Sequence, residues 1–198
     1  LEKSRIVAQS KDERNYHVFY CMLAGLNRDE RAQLELKEAK SYRYLIGGNC
    51  ITCEGRNDAA EFADIRSAMK VLLFNDSEIL QILQVLSAIL HLGNIQFRSI
   101  SVSNMDASDI VDDSNVSTVA KLLGSKRDHL KDALTTKTIF AQGDSVTSRL
   151  GQDQANDVRD AFAKGVYGRL FVWIVKKLNN AIYRESPNGA KRTSIGVL

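Results

Sequence analysis

Asn75-Asp76-Ser77-Glu78-Ile79-Leu80-Gln81-Ile82-Leu83-Gln84-Val85-Leu86-Ser87-Ala88-Ile89-Leu90-His91-Leu92-Gly93-Asn94 is the stretch from which the rest of the chain can be organised. Ile79, Ile82, Leu83, Leu86, Ile89 and Leu90 recur at the three- and four-residue steps that put side chains on one face of an α-helix. Asn75 to Ser77 offer N-caps, and Gly93 with Asn94 reads as a left-handed C-terminal stop. A helix this apolar belongs in a core, so the chain reads as mainly α, and its neighbours are expected to pack around this element.

Immediately upstream, a helix is expected from about Asp58, with Glu61 completing a capping box and Phe62, Ile65, Met69 and Leu72 on one face. Earlier still, Tyr16, Phe19, Met22 and Leu23 predict a helix that stops at Gly25, and Arg28 to Lys40 a short helix and loop. Tyr42, Tyr44 and Leu45 precede the turn signal Gly47-Gly48-Asn49, and Leu1 to Val7 reads as a short strand. Downstream, the serine- and aspartate-rich Ser99 to Ser117 reads as an exposed acidic loop or irregular insert. Two short helices are expected over Val116 to Leu123 and Lys126 to Leu134. The β-branched run from Thr135 to Ile139, then Gly143-Asp144, then Ser145-Val146-Thr147, is a hairpin signal. A helix of unusual length is expected from Gln152 to Tyr183, its apolar face drifting through Val158, Phe162, Val166, Leu170, Trp173, Ile174, Leu178 and Ile182. A polar loop from Arg184 to Arg192 then leads to a terminal strand, Ser194 to Leu198.

With 198 residues and 44% apolar content the chain can bury a sizeable core, and a charged fraction of 26% is ordinary for a globular protein. The net charge of +3 comes from nearly balanced acids and bases, which argues against a nucleic-acid binder. No apolar run approaches the ~20 residues needed to span a membrane, so no membrane insertion is expected. Cys21, Cys50 and Cys53 are an odd and sparse set that fits a reducing cytoplasm better than a disulfide framework. The leucine at the start and the apolar strand at the end suggest a piece of a longer protein.

The chemistry in the sequence is sparse. No G-x-x-x-x-G-K-[ST] loop occurs, so the backbone cradle for nucleotide phosphates is missing. Cys50-Ile51-Thr52-Cys53 has redox or metal spacing but lacks a second ligand pair, and two ordinary packed thiols is the favoured reading. His17, His91 and His129 read as structural histidines, and the acidic insert, lacking the glycine and terminal glutamate of a calcium loop, as a solvated segment. No catalytic, cofactor-binding or metal-binding residue is assigned. The hairpin places Lys137 on one arm and Asp144 at its tip, where a protruding charged loop can read a partner surface.

Several stretches, in order along essentially the whole chain, resemble the myosin motor domain. They are Leu1-Glu2-Lys3-Ser4-Arg5-Ile6-Val7, Glu13-Arg14-Asn15-Tyr16-His17-Val18-Phe19-Tyr20, Leu90-His91-Leu92-Gly93-Asn94-Ile95, Asp160-Ala161-Phe162-Ala163-Lys164, and Tyr167-Gly168-Arg169-Leu170-Phe171 with Trp173-Ile174. Ser194 to Leu198 looks like the strand that delivers the family's second nucleotide switch, and Asn49-Cys50-Ile51-Thr52-Cys53-Glu54-Gly55 looks closest to class VII unconventional myosins. The region from Arg28 to Lys40 and the acidic insert match the family poorly.

The resemblance implies a mainly α segment, residues 1–198, of a single P-loop NTPase-type motor domain. That segment would be the upper subdomain of the actin-binding cleft, between the first and second nucleotide switches. It implies ATP and Mg2+ in the complete motor and none bound by this segment, which would be inactive alone. Actin filaments are the implied partner, with calmodulin or light chains on a lever elsewhere in the parent, in the cytoplasm on the actin cytoskeleton. The hairpin then looks like the family's cardiomyopathy loop, with Lys137, Thr138 and Asp144 as actin contacts. Asp144, sixteen residues before Asp160, falls where myosins carry an acid or a phosphorylatable hydroxyl, so its charge would be built in. Two other classes of function stand beside this one. A stand-alone helical interaction module is permitted by the apolar faces, and a redox enzyme on Cys50 and Cys53 would require a depressed thiol pKa.

Overall fold

Helix α5, Asp76–Gly93, forms over the stretch quoted first. Asn75 caps it by accepting the Glu78 N–H at 2.9 Å, while the Glu78 carboxylate accepts the Asn75 N–H at 2.9 Å, so two otherwise unpaired donors are satisfied reciprocally. Ala88, Ile89, Leu90 and Leu92 are fully buried, each large apolar side chain contributing roughly 1.5–3 kcal/mol of burial. The computed structural model describes residues 2–141 and 144–183. The expected loop from Arg184 to Arg192, the strand Ser194 to Leu198 and the Gly143 turn lie outside those residues.

The end of α5 differs from the expectation. Asn94 has φ −87°, a right-handed value, and its side chain instead accepts the Arg43 N–H at 2.9 Å and donates to the Ser41 carbonyl at 2.7 Å. Gly93 serves close approach: a Cβ there would lie 2.6 Å from the Tyr44 ring.

Around α5 the chain builds α1 (His17–Gly25), α2 (Arg28–Gln33), the single turn α3 (Arg43–Ile46) and α4 (Asp58–Val71). Helix α4 begins at Asp58 as expected, but the expected Asp58–Glu61 capping box does not form. Asn57 caps the helix by accepting the Ala60 N–H at 3.1 Å, while Asp58 turns to Arg14 at 2.6 Å and Glu61 pairs with Arg56. Of the strand expected over Leu1 to Val7, Leu1 lies outside the described residues and residues 2–7 form no strand. Ser4–Ile6 is a 3-10 turn that buries Ile6 alone, and its local hydrogen bonds remove any need for a pairing strand.

The expected acidic loop is also corrected. Strands β1 (Phe97–Val102) and β2 (Met105–Ile110) form an antiparallel hairpin with Phe97 opposite Ile110 and Val102 opposite Met105. Its two-residue turn, Ser103-Asn104, has φ 52° and 61°, the pair of left-handed conformations that matches strand twist. Helices α6 (Ser114–Leu122) and α7 (Arg127–Thr135) follow, then β3 (Thr136–Ala141) and β4 (Asp144–Arg149), and the long α8 (Gln152–Ile182). α5 packs against α6 and α8, and α1 against α4. Among the described residues the fold is thus mainly helical with two separate two-stranded antiparallel sheets. No described helix is long and apolar enough to cross a membrane.

Candidate functional site

The β3–β4 hairpin stands on a well-tied base. Thr135 and Thr136 donate their hydroxyls to the carbonyls of Lys131 and Asp132 at 2.8 and 2.7 Å, continuing the last turn of α7 into the strand. Leu150, buried just after β4, donates its N–H to the Thr135 carbonyl at 2.9 Å and accepts the Ser108 hydroxyl of β2 at 2.8 Å. Gly151 then opens α8, its N–H bonded to the Gln154 side chain at 3.1 Å.

Above that base both faces are exposed, from Lys137 to Phe140 on one arm and from Asp144 to Arg149 on the other. The register pairs Lys137 with Ser148, Thr138 with Thr147, Ile139 with Val146 and Ala141 with Asp144. Since side chains alternate between faces, Lys137, Ile139, Val146 and Asp144 share one face and Thr138 lies on the other. Thr138 is occupied there by a 3.0 Å hydroxyl–hydroxyl bond to Thr147. Of the three residues expected together, the structure therefore joins two and separates the third.

Lys137 and Asp144 sit at opposite ends of their face, four strand positions apart, or ~13 Å at about 3.3 Å per residue. That exceeds the ~8 Å screening length at physiological salt, and neither forms an ion pair among the described residues. The hairpin presents a cation near its base and a carboxylate near its tip, with Ile139 at 47% and Val146 at 58% exposure between them. Phe140, on the opposite face, is 83% exposed. An apolar centre flanked by unpaired charges is suited to a protein partner.

Behind the hairpin, buried polar ties join the helices. Tyr44 donates its hydroxyl to Asp160 at 2.6 Å, and fully buried Arg159 donates Nε to the same carboxylate at 2.8 Å and Nη1 to the Ile95 carbonyl at 2.8 Å. Its Nη2 also lies 2.8 Å from Asp160, but off the hydrogen-bond direction, so that contact is electrostatic only. Burial, followed by the hydrogen bond to Asp160 and then its charge, raises the Tyr44 pKa and keeps the phenol neutral. Tyr16 stacks on Tyr167 with centroids 5.4 Å apart, linking the start of the chain to α8. Pairing residues 116 apart leaves no local signal, and sequence reading missed these ties.

The other candidates resolve differently. His91 is buried, with Nδ1 3.2 Å from Asn115 Oδ1 and Nε2 3.1 Å from the Glu35 carbonyl, a structural histidine whose pKa burial lowers. His17, expected within an apolar segment, is exposed. Cys50 and Cys53 are free and, contrary to the packed-thiol expectation, half-buried and exposed. Cys21, Asp58 and Glu61 place three possible ligand atoms within 4.8 Å, but Arg14 and Arg56 already hold both carboxylates. That cluster is an ion-pair node rather than a cation cradle.

A family model described as myosin head (motor domain) matches residues 1–198. Myosin-VIIa of Drosophila melanogaster is 59% identical over 198 residues, covering 100% of this chain and 9% of that protein. Unconventional myosin heavy chain 6 of Caenorhabditis elegans is 52% identical over 198 residues, with the same 100% and 9% coverage. Unconventional myosin-VIIb of Mus musculus is 45% identical over 201 residues, covering 100% of the chain and 10% of that protein. The chain thus spans about a tenth of the length of these relatives.

Proposed function

Because the chain belongs to the myosin head (motor domain) family, we propose that it works as the upper, actin-facing subdomain of an ATP-driven motor, lying between the two nucleotide switches. The β3–β4 hairpin meets the filament, and the tied helices behind it carry nucleotide state to the cleft. The observation that carries this reading is the exposed hairpin face on which Lys137 and Asp144 flank Ile139 and Val146 without neutralising one another. Thr138 contributes from the opposite face.

ATP and Mg2+ belong to the parent motor in this reading. The residues of this chain do not suit them, since no phosphate loop occurs in the sequence and the one described carboxylate–thiol cluster is filled by arginines. No catalytic step is therefore assigned to residues of this chain. Calmodulin or light chains would act on a lever outside it, and the setting is the actin cytoskeleton.

The test is Asp144→Ala in the parent motor. Actin-activated ATPase should fall several-fold at sub-saturating actin while the basal rate stays unchanged, as expected when a rim charge that steers association is removed. Equal actin-activated rates in the two proteins would remove Asp144 from the interface. Lys137→Ala is the companion variant and should alter the salt dependence of actin affinity.

A further inference from the structure

The connector between α3 and α4 carries the two cysteines left without a role. It is pinned at both ends: the Gly48 carbonyl accepts the Asp12 N–H at 2.7 Å, and Asp58 is held by Arg14 at 2.6 Å. Between those pins residues 50–57 have no helix or strand, and Gly55 turns the chain at φ +76°. The one backbone hydrogen bond recorded inside it runs from the Arg56 N–H to the Cys53 carbonyl at 3.3 Å. Residues 50–55, short of the Arg56 ion pair and the Asn57 cap of α4, can therefore change conformation without disturbing either helix.

Both thiols line a single cleft of about 470 Å³ together with Arg5, Arg14 and His17. Their present contacts are weak: Cys50 Sγ donates to the Thr52 carbonyl at 3.3 Å and Cys53 Sγ to the Glu54 carbonyl at 3.8 Å. Arg14 is 7% exposed, and its Nε has no hydrogen-bond partner, so a buried cationic donor in the wall of the cleft is left unsatisfied. Cys53 is the more exposed of the two thiols and so the first that a peroxide in the solvent reaches. Asp12 and Glu13 also line the cleft, but Glu13 is engaged by Arg5 at 2.8 Å.

We propose that Cys50 and Cys53 form a peroxide-sensitive thiol pair on the rim of this cleft, which oxidation closes into a disulfide within the connector. The Cys53 thiolate attacks the peroxide. An S–O bond forms, the O–O bond breaks, and hydroxide leaves and takes up a proton as water. The Cys50 thiol then attacks the resulting sulfenic acid. The S–S bond forms, the S–O bond breaks, and the hydroxyl departs with the Cys50 proton as a second water. The two sulfurs together lose two electrons and the peroxide gains them. Cys21 stays outside this chemistry because it is buried, with its pKa pushed up to about 11 by burial first and then by Asp58 and Glu61.

The experiment is native-state oxidation of the full-length motor with hydrogen peroxide, followed by alkylation, digestion and peptide mass spectrometry. The peptide holding Cys50 and Cys53 should lose two hydrogen atoms reversibly, at a rate at least ~10-fold above any modification of Cys21. Cys50→Ser should strand Cys53 as a sulfenic acid that a cyclic 1,3-diketone captures, and Cys53→Ser should leave Cys50 reduced. Recovery of both thiols alkylated after peroxide treatment would overturn the proposal. So would over-oxidation of Cys53 beside an untouched Cys50, or oxidation of the pair only in step with Cys21, which would mark it as a product of unfolding.

Discussion

Tyr44 fills the space beside Gly93 where a side chain would otherwise stand, and its hydroxyl reaches on to Asp160. Two substitutions separate these roles. Gly93→Ala forces a Cβ to within 2.6 Å of the ring and should cost ~1–3 kcal/mol of stability in chemical denaturation. Tyr44→Phe keeps the ring and removes a hydrogen bond to a carboxylate, a loss of about 1.5–3 kcal/mol. If steric pressure from Tyr44 is the cause, most of the Gly93→Ala cost should disappear in a Tyr44→Ala background; an unchanged cost there would refute it. The Gly93-Asn94 pair was legible as a helix end, yet its reason was not. A glycine followed by asparagine signals a left-handed cap, whereas the constraint comes from a ring 49 positions away in sequence. Lys137 and Asp144 were legible as hairpin residues from the β-branched run and the turn signal, whereas Thr138 was grouped with them by loop position in the family resemblance, which does not display the alternation of faces.

Among the elements, long helices were the most readable, because apolar residues at helical spacing must share a face wherever the rest of the chain goes. The β1–β2 hairpin was not readable for the converse reason. Of its strand residues, the buried ones are Phe97, Ala107, Ser108 and Ile110, and most of the remainder are exposed serines, aspartates and other residues that imitate a loop. Its turn uses Ser103 and Asn104 at positive φ where glycine would have announced it. Replacing Asn104 with glycine should therefore stabilise the hairpin by about 0.5 kcal/mol, since glycine adopts φ +61° freely whereas asparagine, though it tolerates the left-handed region better than most side chains, still meets its Cβ there. Hydrogen exchange at the β1–β2 amides measures this directly: slower exchange is expected, and faster exchange would show that the Asn104 side chain is itself needed.

For the whole molecule, several acidic groups are held neutral by the packing of the core. Tyr167 is pushed up to about 12 by burial first and by Tyr16 second, and Cys21 to about 11, from ordinary values of 10.0 and 9.0. The folded state thus binds these protons more tightly than the unfolded chain does. The resulting stability is fully present below about pH 9 and is lost as pH rises towards about 12. The urea midpoint should fall across that window, and Tyr167→Phe should flatten the upper part of the fall; an unaltered slope would show that Tyr167 does not contribute.

One joint decides how a force on the hairpin would travel through the fold. Only Leu150 and Gly151 separate strand β4 from helix α8. Leu150 is held by its N–H bond to the Thr135 carbonyl, by the Ser108 hydroxyl on its own carbonyl and by a buried side chain, with no slack tether on either side. Tension applied to the hairpin would reach the long helix as a push or pull on its first turn. The stiffness of the connection is set by those two hydrogen bonds and that one anchored leucine, a mechanical fuse where strand meets helix.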